Sequence, residues 1–262
     1  MNRTYFSILI LLLTFNGMCL AASPYKLNTK NELIYLGAGG LMALGGFINE
    51  QDRSAPTLSE LDSLDKNNIP SFDRQFAGKW NKTAHHWSDA LLLAGTLSPL
   101  PLFYQQQSDL LTLSVLYLET YALTAGGMAL AKGSITRFRP LAYDSDAPMS
   151  EKLKHDTKRS FFSGHTALAT SGFIFSATVF SDYYPDSKYK NAVWATAIGG
   201  SIATAWLRVE AGKHFPSDVI VGLLWGSAIG YGIPTLHKKE NAFSLLPFAN
   251  DDQQGLTIYH LF

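Results

Sequence analysis

The chain has 262 residues, with 21 Lys and Arg balanced by 21 Asp and Glu. That balance gives no basic excess of the kind a general nucleic-acid binder needs, so no nucleic-acid partner is expected. Hydrophobic residues make up 47% and charged residues 16%, against about a quarter charged in soluble domains. With a mean hydropathy of +0.03, composition points toward a membrane without requiring a chain wholly immersed in lipid.

At the N-terminus, Arg3 precedes an apolar run from Phe6 to Phe15, Asn16 and Gly17 break it, and Cys19-Leu20-Ala21 supplies small residues for cleavage. This three-part pattern predicts a secretory signal peptide over 1–22, with an uncleaved anchor as the alternative. Met18 stands where a lipid-anchored cysteine would be preceded by a small residue. Cys19 is the only cysteine, so its removal leaves neither a disulfide nor thiol chemistry.

Six apolar segments follow: Leu33 to Ile48, Ala90 to Tyr104, Leu110 to Ala131, Thr166 to Phe180, Ala192 to Leu207 and Val219 to Leu236. None alternates as a half-buried strand would, and scattered Gly, Ala, Ser and Thr suit closely packed helices. Most fall short of the roughly 20 residues of a comfortable membrane span, so short spans and helices of a soluble bundle both fit. The chain divides into a leader over 1–22, a helix and polar loop over 23–89, a core over 90–238 and a tail over 239–262. The tail, ending in Gly255-Leu256-Thr257-Ile258-Tyr259-His260, has the makings of a short strand pair.

Arranged up and down, the six helices place the loops after the first, third and fifth on one face. Three polar clusters matter. Lys132 to Pro140 is the first, Phe162 to Thr166 the second and Arg208 to Asp218 the third. Hydrolysis of a phosphate ester needs charge stabilisation and positioning. Lys132, Arg139 and Arg208 supply three cations, and an arginine fork can grip two phosphate oxygens. Ser163 offers a hydroxyl, and Gly164 lets its backbone N–H approach an anion at a helix N-terminus. His214 and Asp218 stand four apart, so the carboxylate can fix one imidazole nitrogen and free the other to attack phosphorus. His165 is then the general acid and later the base that activates water. Taken singly, each cation reads as a helix anchor, Ser-Gly-His-Thr as a helix cap and His-x3-Asp as a surface pair. The combination is far more specific.

Together the clusters resemble the signature of the type 2 phosphatidic acid phosphatase superfamily, which also includes vanadium haloperoxidases and bacterial acid phosphatases. Lys132 and Arg139-Pro140 match its Lys-x6-Arg-Pro part. Ser163-Gly164-His165 matches Pro-Ser-Gly-His with Phe162 in place of proline. Arg208, His214 and Asp218 match Ser-Arg-x5-His-x3-Asp with Leu207 in place of serine. The resemblance implies an all-α six-helix bundle, membrane-embedded. It implies a phosphohistidine intermediate on His214 and no metal or other cofactor. Lys132, Arg139, Ser163, Gly164 and Arg208 would bind phosphate; His214, His165 and Asp218 would be catalytic.

The expected function is a phosphatase acting on envelope lipids of the phosphatidate, polyprenyl pyrophosphate or lipid A kind, in the inner membrane with a periplasm-facing site. The alternatives are a soluble periplasmic acid phosphatase and a vanadate haloperoxidase. A cleaved leader followed by six full spans would carry the active loops to the cytoplasm. Either the N-terminal segment is handled otherwise or some helices stop short of crossing. Glu119, inside the third segment, should turn inward to a structural partner. His85, His86 and Trp87 read as an interfacial belt. His155 with Lys152, Lys154, Lys158 and Arg159 reads as an attractor of anionic head groups or as a solvated loop.

Overall fold

The computed structural model of the chain describes residues 23–50, 54–239, 243–250 and 253–260. The expected signal peptide lies outside the described residues. Six long helices carry the body: α1 Thr29–Glu50, α2 Lys82–Leu97, α3 Leu110–Ser134, α4 Gly164–Tyr183, α5 Lys190–Glu210 and α6 Pro216–Leu236. Each apolar segment of the sequence falls on one of them, so the all-α reading holds.

The second segment departs most from its expected limits. It begins early because the Asn81 side chain accepts the Ala84 N–H at 3.0 Å, a helix cap. It ends at Leu97 because Pro99 cannot extend the helical ladder, and a short helix over Leu100–Gln105 follows. This early start places His85, Ser88 and Asp89 on helical turns instead of in a connection.

Helix α4 is the axis of the bundle. It is buried along nearly its whole length, with α2, α3, α5 and α6 packed around it. Several of its small polar residues satisfy themselves along the helix, as with Ser176 Oγ to the Gly172 carbonyl at 2.9 Å and Thr178 Oγ1 to the Ile174 carbonyl at 2.8 Å. Many large apolar side chains point outward, among them Leu41, Phe47, Leu93, Ile202, Trp206 and Leu224, while others such as Leu113, Leu116 and Phe175 fill the core. Small residues at close helix contacts under an apolar exterior are the packing of helices in lipid. Helix α1 lies against α3 through facing glycines. A Cβ on Gly46 would sit 2.3 Å from the Ala129 carbonyl carbon, and one on Gly133 would sit 2.1 Å from the Gly46 oxygen. Among the described residues, α1 and α6 are long and apolar enough to cross a membrane, with mean hydropathies of 1.2 and 1.6.

The C-terminal ends of α3 and α5 and the N-terminal ends of α4 and α6 meet at one end of the bundle. Residues 137–139 run beside 157–160, with Arg137 N–H on the Lys158 carbonyl at 3.0 Å, Arg139 N–H on the Thr157 carbonyl at 2.9 Å and Ser160 N–H on the Arg137 carbonyl at 3.0 Å. These bonds bring the first cluster to the second. Beyond the bundle, β1 Phe243–Asn250 and β2 Gln253–His260 form an antiparallel hairpin, the strand pair expected of the tail.

Candidate active site

His214 lies in the turn between α5 and α6. That turn is shaped by Gly212, whose φ of +67° and whose place against Lys79, with a Cβ position only 1.7 Å from the Lys79 carbonyl oxygen, admit no side chain. The imidazole is 1% exposed. Its Nδ1 is 2.6 Å from the Ser160 carbonyl oxygen. A carbonyl only accepts, so Nδ1 carries the proton and Nε2 keeps its lone pair. Burial first, then the charges of Arg139, Lys132 and Arg208, hold the His214 pKa well below the usual imidazole value. The ring is therefore neutral, and it feels His165 as well as all three expected cations.

Asp218 does not hold His214 directly, as the sequence spacing suggested. The Nδ1 to Oδ2 distance is 3.8 Å. The carboxylate is fully occupied elsewhere: Oδ2 accepts the Ser160 hydroxyl at 2.6 Å and the Phe215 N–H at 2.9 Å, and Oδ1 accepts from Arg137. Ser160 is the intermediary. Its hydroxyl goes to Asp218 while its carbonyl takes the His214 proton, so the two residues orient each other through one backbone unit.

Arg137, not selected from the sequence, ties this support together. Its guanidinium reaches Asp73 Oδ2 at 2.6 Å and Ser217 Oγ at 2.8 Å, as well as Asp218, and its Cζ stacks 4.6 Å over the Phe215 ring. Asp73, itself 2% exposed, also accepts the Ser217 N–H at 3.0 Å and the Ser217 hydroxyl at 2.6 Å.

The expected phosphate-binding cations are buried near the imidazole. Lys132 Nζ donates to the Arg159 carbonyl at 2.7 Å. Arg139 Nη2 is 2.5 Å from Asp156 Oδ2. Partial burial pushes the Asp156 carboxyl up, but Arg139 and Lys132 overcome it and hold its pKa at about 2. Arg208 Nη1 donates to Ser88 Oγ and to His85 Nδ1, both at 3.1 Å. The Nε atoms of Arg139 and Arg208 are buried and have no hydrogen-bond partner among the described residues. Ser163 takes a different place from the one expected. Its hydroxyl caps α4, 2.8 Å from Thr166 Oγ1 and 3.4 Å from the Thr166 N–H it accepts. A Cβ on Gly164 would lie 2.2 Å from Met128 Sδ, so tight packing also demands a glycine there.

His165, one residue into α4, has Nε2 2.8 Å from Asp89 Oδ1. Asp89, like Arg137, is a residue that sequence reasoning missed. Its signal was a lone carboxylate at the head of an apolar segment, four residues after His85, whose Nδ1 is 3.4 Å from it. Of the expected interfacial belt, Trp87 is exposed, but His85 turns to Arg208. The basic loop is likewise not a free attractor of anions. Arg159 pairs with Glu50 at 2.9 Å, Lys158 with Glu60 at 2.6 Å, and Lys154 with Glu151, so it fastens the loop to its neighbours.

A family model of the PAP2 superfamily matches residues 113–242. Over 90 residues the chain is 33% identical to the probable diacylglycerol pyrophosphate phosphatase 1 of Schizosaccharomyces pombe. That match takes in 32% of this chain and 32% of the relative, so the chain spans about a third of the curated protein it resembles. No solved structure matches the chain.

Proposed function

The chain belongs to the PAP2 superfamily, and on that premise we propose that it is a metal-independent lipid phosphatase working through a phosphohistidine on His214. The observation that carries this reading is the pair of buried, unpartnered Nε–H donors on Arg139 and Arg208 beside a buried neutral imidazole. Buried donors are ordinarily hydrogen-bonded, and a tetrahedral dianion supplies the acceptors these two lack. Three cations also make poor company for a catalytic metal and good company for the charge of a phosphoryl transition state.

In this reaction Nε2 of His214 donates its lone pair to phosphorus while the bond to the leaving oxygen breaks. His165 gives that oxygen a proton. Burial and the Arg208 charge hold the His165 pKa down at about 3, with Asp89 pulling the other way; a bound phosphoryl dianion joins Asp89 in favouring the protonated form that a general acid requires. Water then attacks the phosphohistidine as His165 takes its proton, releasing inorganic phosphate and the free imidazole. Lys132, Arg139, Arg208 and the first-turn amide of α4 at Gly164 bind the phosphoryl oxygens. Asp218, through Ser160, and the Ser160 carbonyl keep the proton on Nδ1.

The substrate class rests on the apolar exterior of the helices and on α1 and α6, which can cross a membrane by length and composition. The relative's name is that of a probable lipid pyrophosphate phosphatase, which fits the same chemistry. We place the protein in the bacterial envelope, in the inner membrane with its catalytic end toward the periplasm. Full-length protein in detergent should release phosphate from phosphatidate or polyprenyl pyrophosphate in the presence of EDTA. His214→Asn should lower the rate at least about 10³-fold, and acid-labile radiolabel should be trapped on the wild-type protein alone. Undiminished turnover in His214→Asn would overturn the mechanism. Release by osmotic shock without detergent would instead favour a soluble periplasmic enzyme acting on small organic phosphates.

A further inference from the structure

A second polar cluster lies deep in the bundle, away from the catalytic end. Glu119 sits midway along α3, 13 residues before Lys132, or about 20 Å along the helix axis. It is 0% exposed, and neither of its carboxylate oxygens has a hydrogen-bond partner among the described residues. His237, at the C-terminal end of α6, points its Nε2 to within 3.3 Å of Glu119 Oε2 and 3.2 Å of Glu32 Oε1. Glu32 comes from the first turn of α1, where the Asn28 N–H fixes its Oε1 at 2.8 Å. One ligand atom from each of the three residues lies within 4.8 Å of the others.

We propose that Glu32, Glu119 and His237 bind one divalent cation of the zinc class, a structural site joining α1, α3 and α6. Three features carry it. The first is charge: two carboxylates brought together in a bundle interior need a compensating cation. The second is the tautomer. His237 Nδ1 is 2.8 Å from the Ile233 carbonyl, which can only accept. Nδ1 therefore holds a proton and Nε2 is the atom left to ligate, the arrangement by which a backbone carbonyl orients metal-bound histidine. The third is spacing. Ligands about 2.1 Å from a tetrahedral zinc stand roughly 3.4 Å apart, close to the 3.2 and 3.3 Å found here. Imidazole with two carboxylates suits zinc better than magnesium, which prefers oxygen ligands and retains water. Glu32 is partly exposed, giving the ion a way in and water a fourth position. Tyr35, edge-on to the His237 ring at 5.7 Å, closes one side.

The test uses the full chain in detergent, purified through a histidine-free tag and dialysed against zinc and then against metal-free buffer. Elemental analysis should find about one zinc per chain. Zinc at about 100 times its dissociation constant should raise Tm by on the order of 5 °C. Glu119→Gln and His237→Gln should lose the ion and the Tm response, and Glu32→Gln should weaken binding at least about 10-fold. Phosphate release by these variants, measured well below Tm, reports that they are folded. If the two buried substitutions prevent folding, the partly exposed Glu32→Gln carries the test. Substoichiometric zinc in the wild-type chain, or zinc retained by folded Glu119→Gln or Glu32→Gln at wild-type affinity, would overturn the site. The zinc count and Tm response read this site alone, because they do not depend on whether His214 is a nucleophile.

Discussion

At one end of the bundle Lys132, Arg139 and Arg208 surround the buried imidazole of His214. About 20 Å away along α3, Glu32 and Glu119 surround the imidazole of His237. Both rings donate an Nδ1–H hydrogen bond to a backbone carbonyl, Ser160 at 2.6 Å and Ile233 at 2.8 Å, and both present Nε2 to a cluster of one charge sign. The same side chain is thus prepared for opposite partners. On the proposed mechanism, a neutral imidazole among cations faces an electrophilic phosphorus as a nucleophile. On the proposed zinc site, one among carboxylates faces a cation as a ligand. The backbone sets the tautomer in each case, and the surrounding charge decides what the lone pair meets.

The comparison breaks most readily at His165, apart from His214 itself. His165→Gln should cost about 10²- to 10⁴-fold in kcat/KM, which reads phosphohistidine formation alone, for a lipid phosphate, the usual worth of a placed general acid. The deficit should shrink sharply for an aryl phosphate, whose leaving group needs no proton. An equal loss on both substrates would show that His165 positions the phosphoryl group instead of protonating the leaving oxygen. Asp89→Asn should show the same pattern at about a tenfold loss, because the amide no longer favours the imidazolium.

Arg137→Gln tests the scaffold beneath the cationic end. It leaves two buried carboxylates, Asp73 and Asp218, without their shared cation, and breaking such a pair costs about 3 kcal/mol or more. The expected result is a Tm lowered by several degrees with activity lost in parallel. The paired substitution Asp73→Asn should recover part of the stability. An unchanged Tm for Arg137→Gln would mean that Ser160 and Phe215 suffice to hold Asp218, and Ser217 to hold Asp73.

How much of this was legible in the sequence follows from where each partner sits. Lys132, Arg139, His165, Arg208 and His214 could be named because their spacing within short clusters is itself the signal. The six helices could be placed because apolar runs are local. Asp89 and Asp73 were not legible in the same way. Their partners His165 and Arg137 lie 76 and 64 residues off, and only the closing of the bundle brings them together. Asp218 was assigned to His214 because four residues is one helical turn. Ser160, 58 residues before Asp218, intervenes from another element that spacing could not foresee. The carboxylate pair at the far end was half visible. Glu119 stood out within an apolar helix, but neither Glu32 nor His237 is close to it in sequence.

The smallest effect sharpens the electrostatic half of the comparison. In the resting protein the depressed His214 pKa keeps the ring neutral across the ordinary imidazole range, so protonation of the nucleophile should limit kcat/KM only well below pH 6.5. Arg139 is the largest charge contribution to that depression. Arg139→Gln removes a cation that disfavours the charged ring, so the His214 pKa must rise and the acid limb must move to higher pH. The substrate's own titration is common to both enzymes and cancels in the difference. Stability follows the same sign. The unfolded chain takes up a proton on this histidine below about pH 6.5 while the native state does not, so the wild-type protein should lose stability as pH falls through that value. Arg139→Gln should lose less of it over the same interval, because its His214 can bind that proton sooner. An acid limb that stays in place in Arg139→Gln, with kcat/KM lowered evenly at every pH, would mean that Arg139 acts on the phosphoryl group alone and leaves the imidazole untouched.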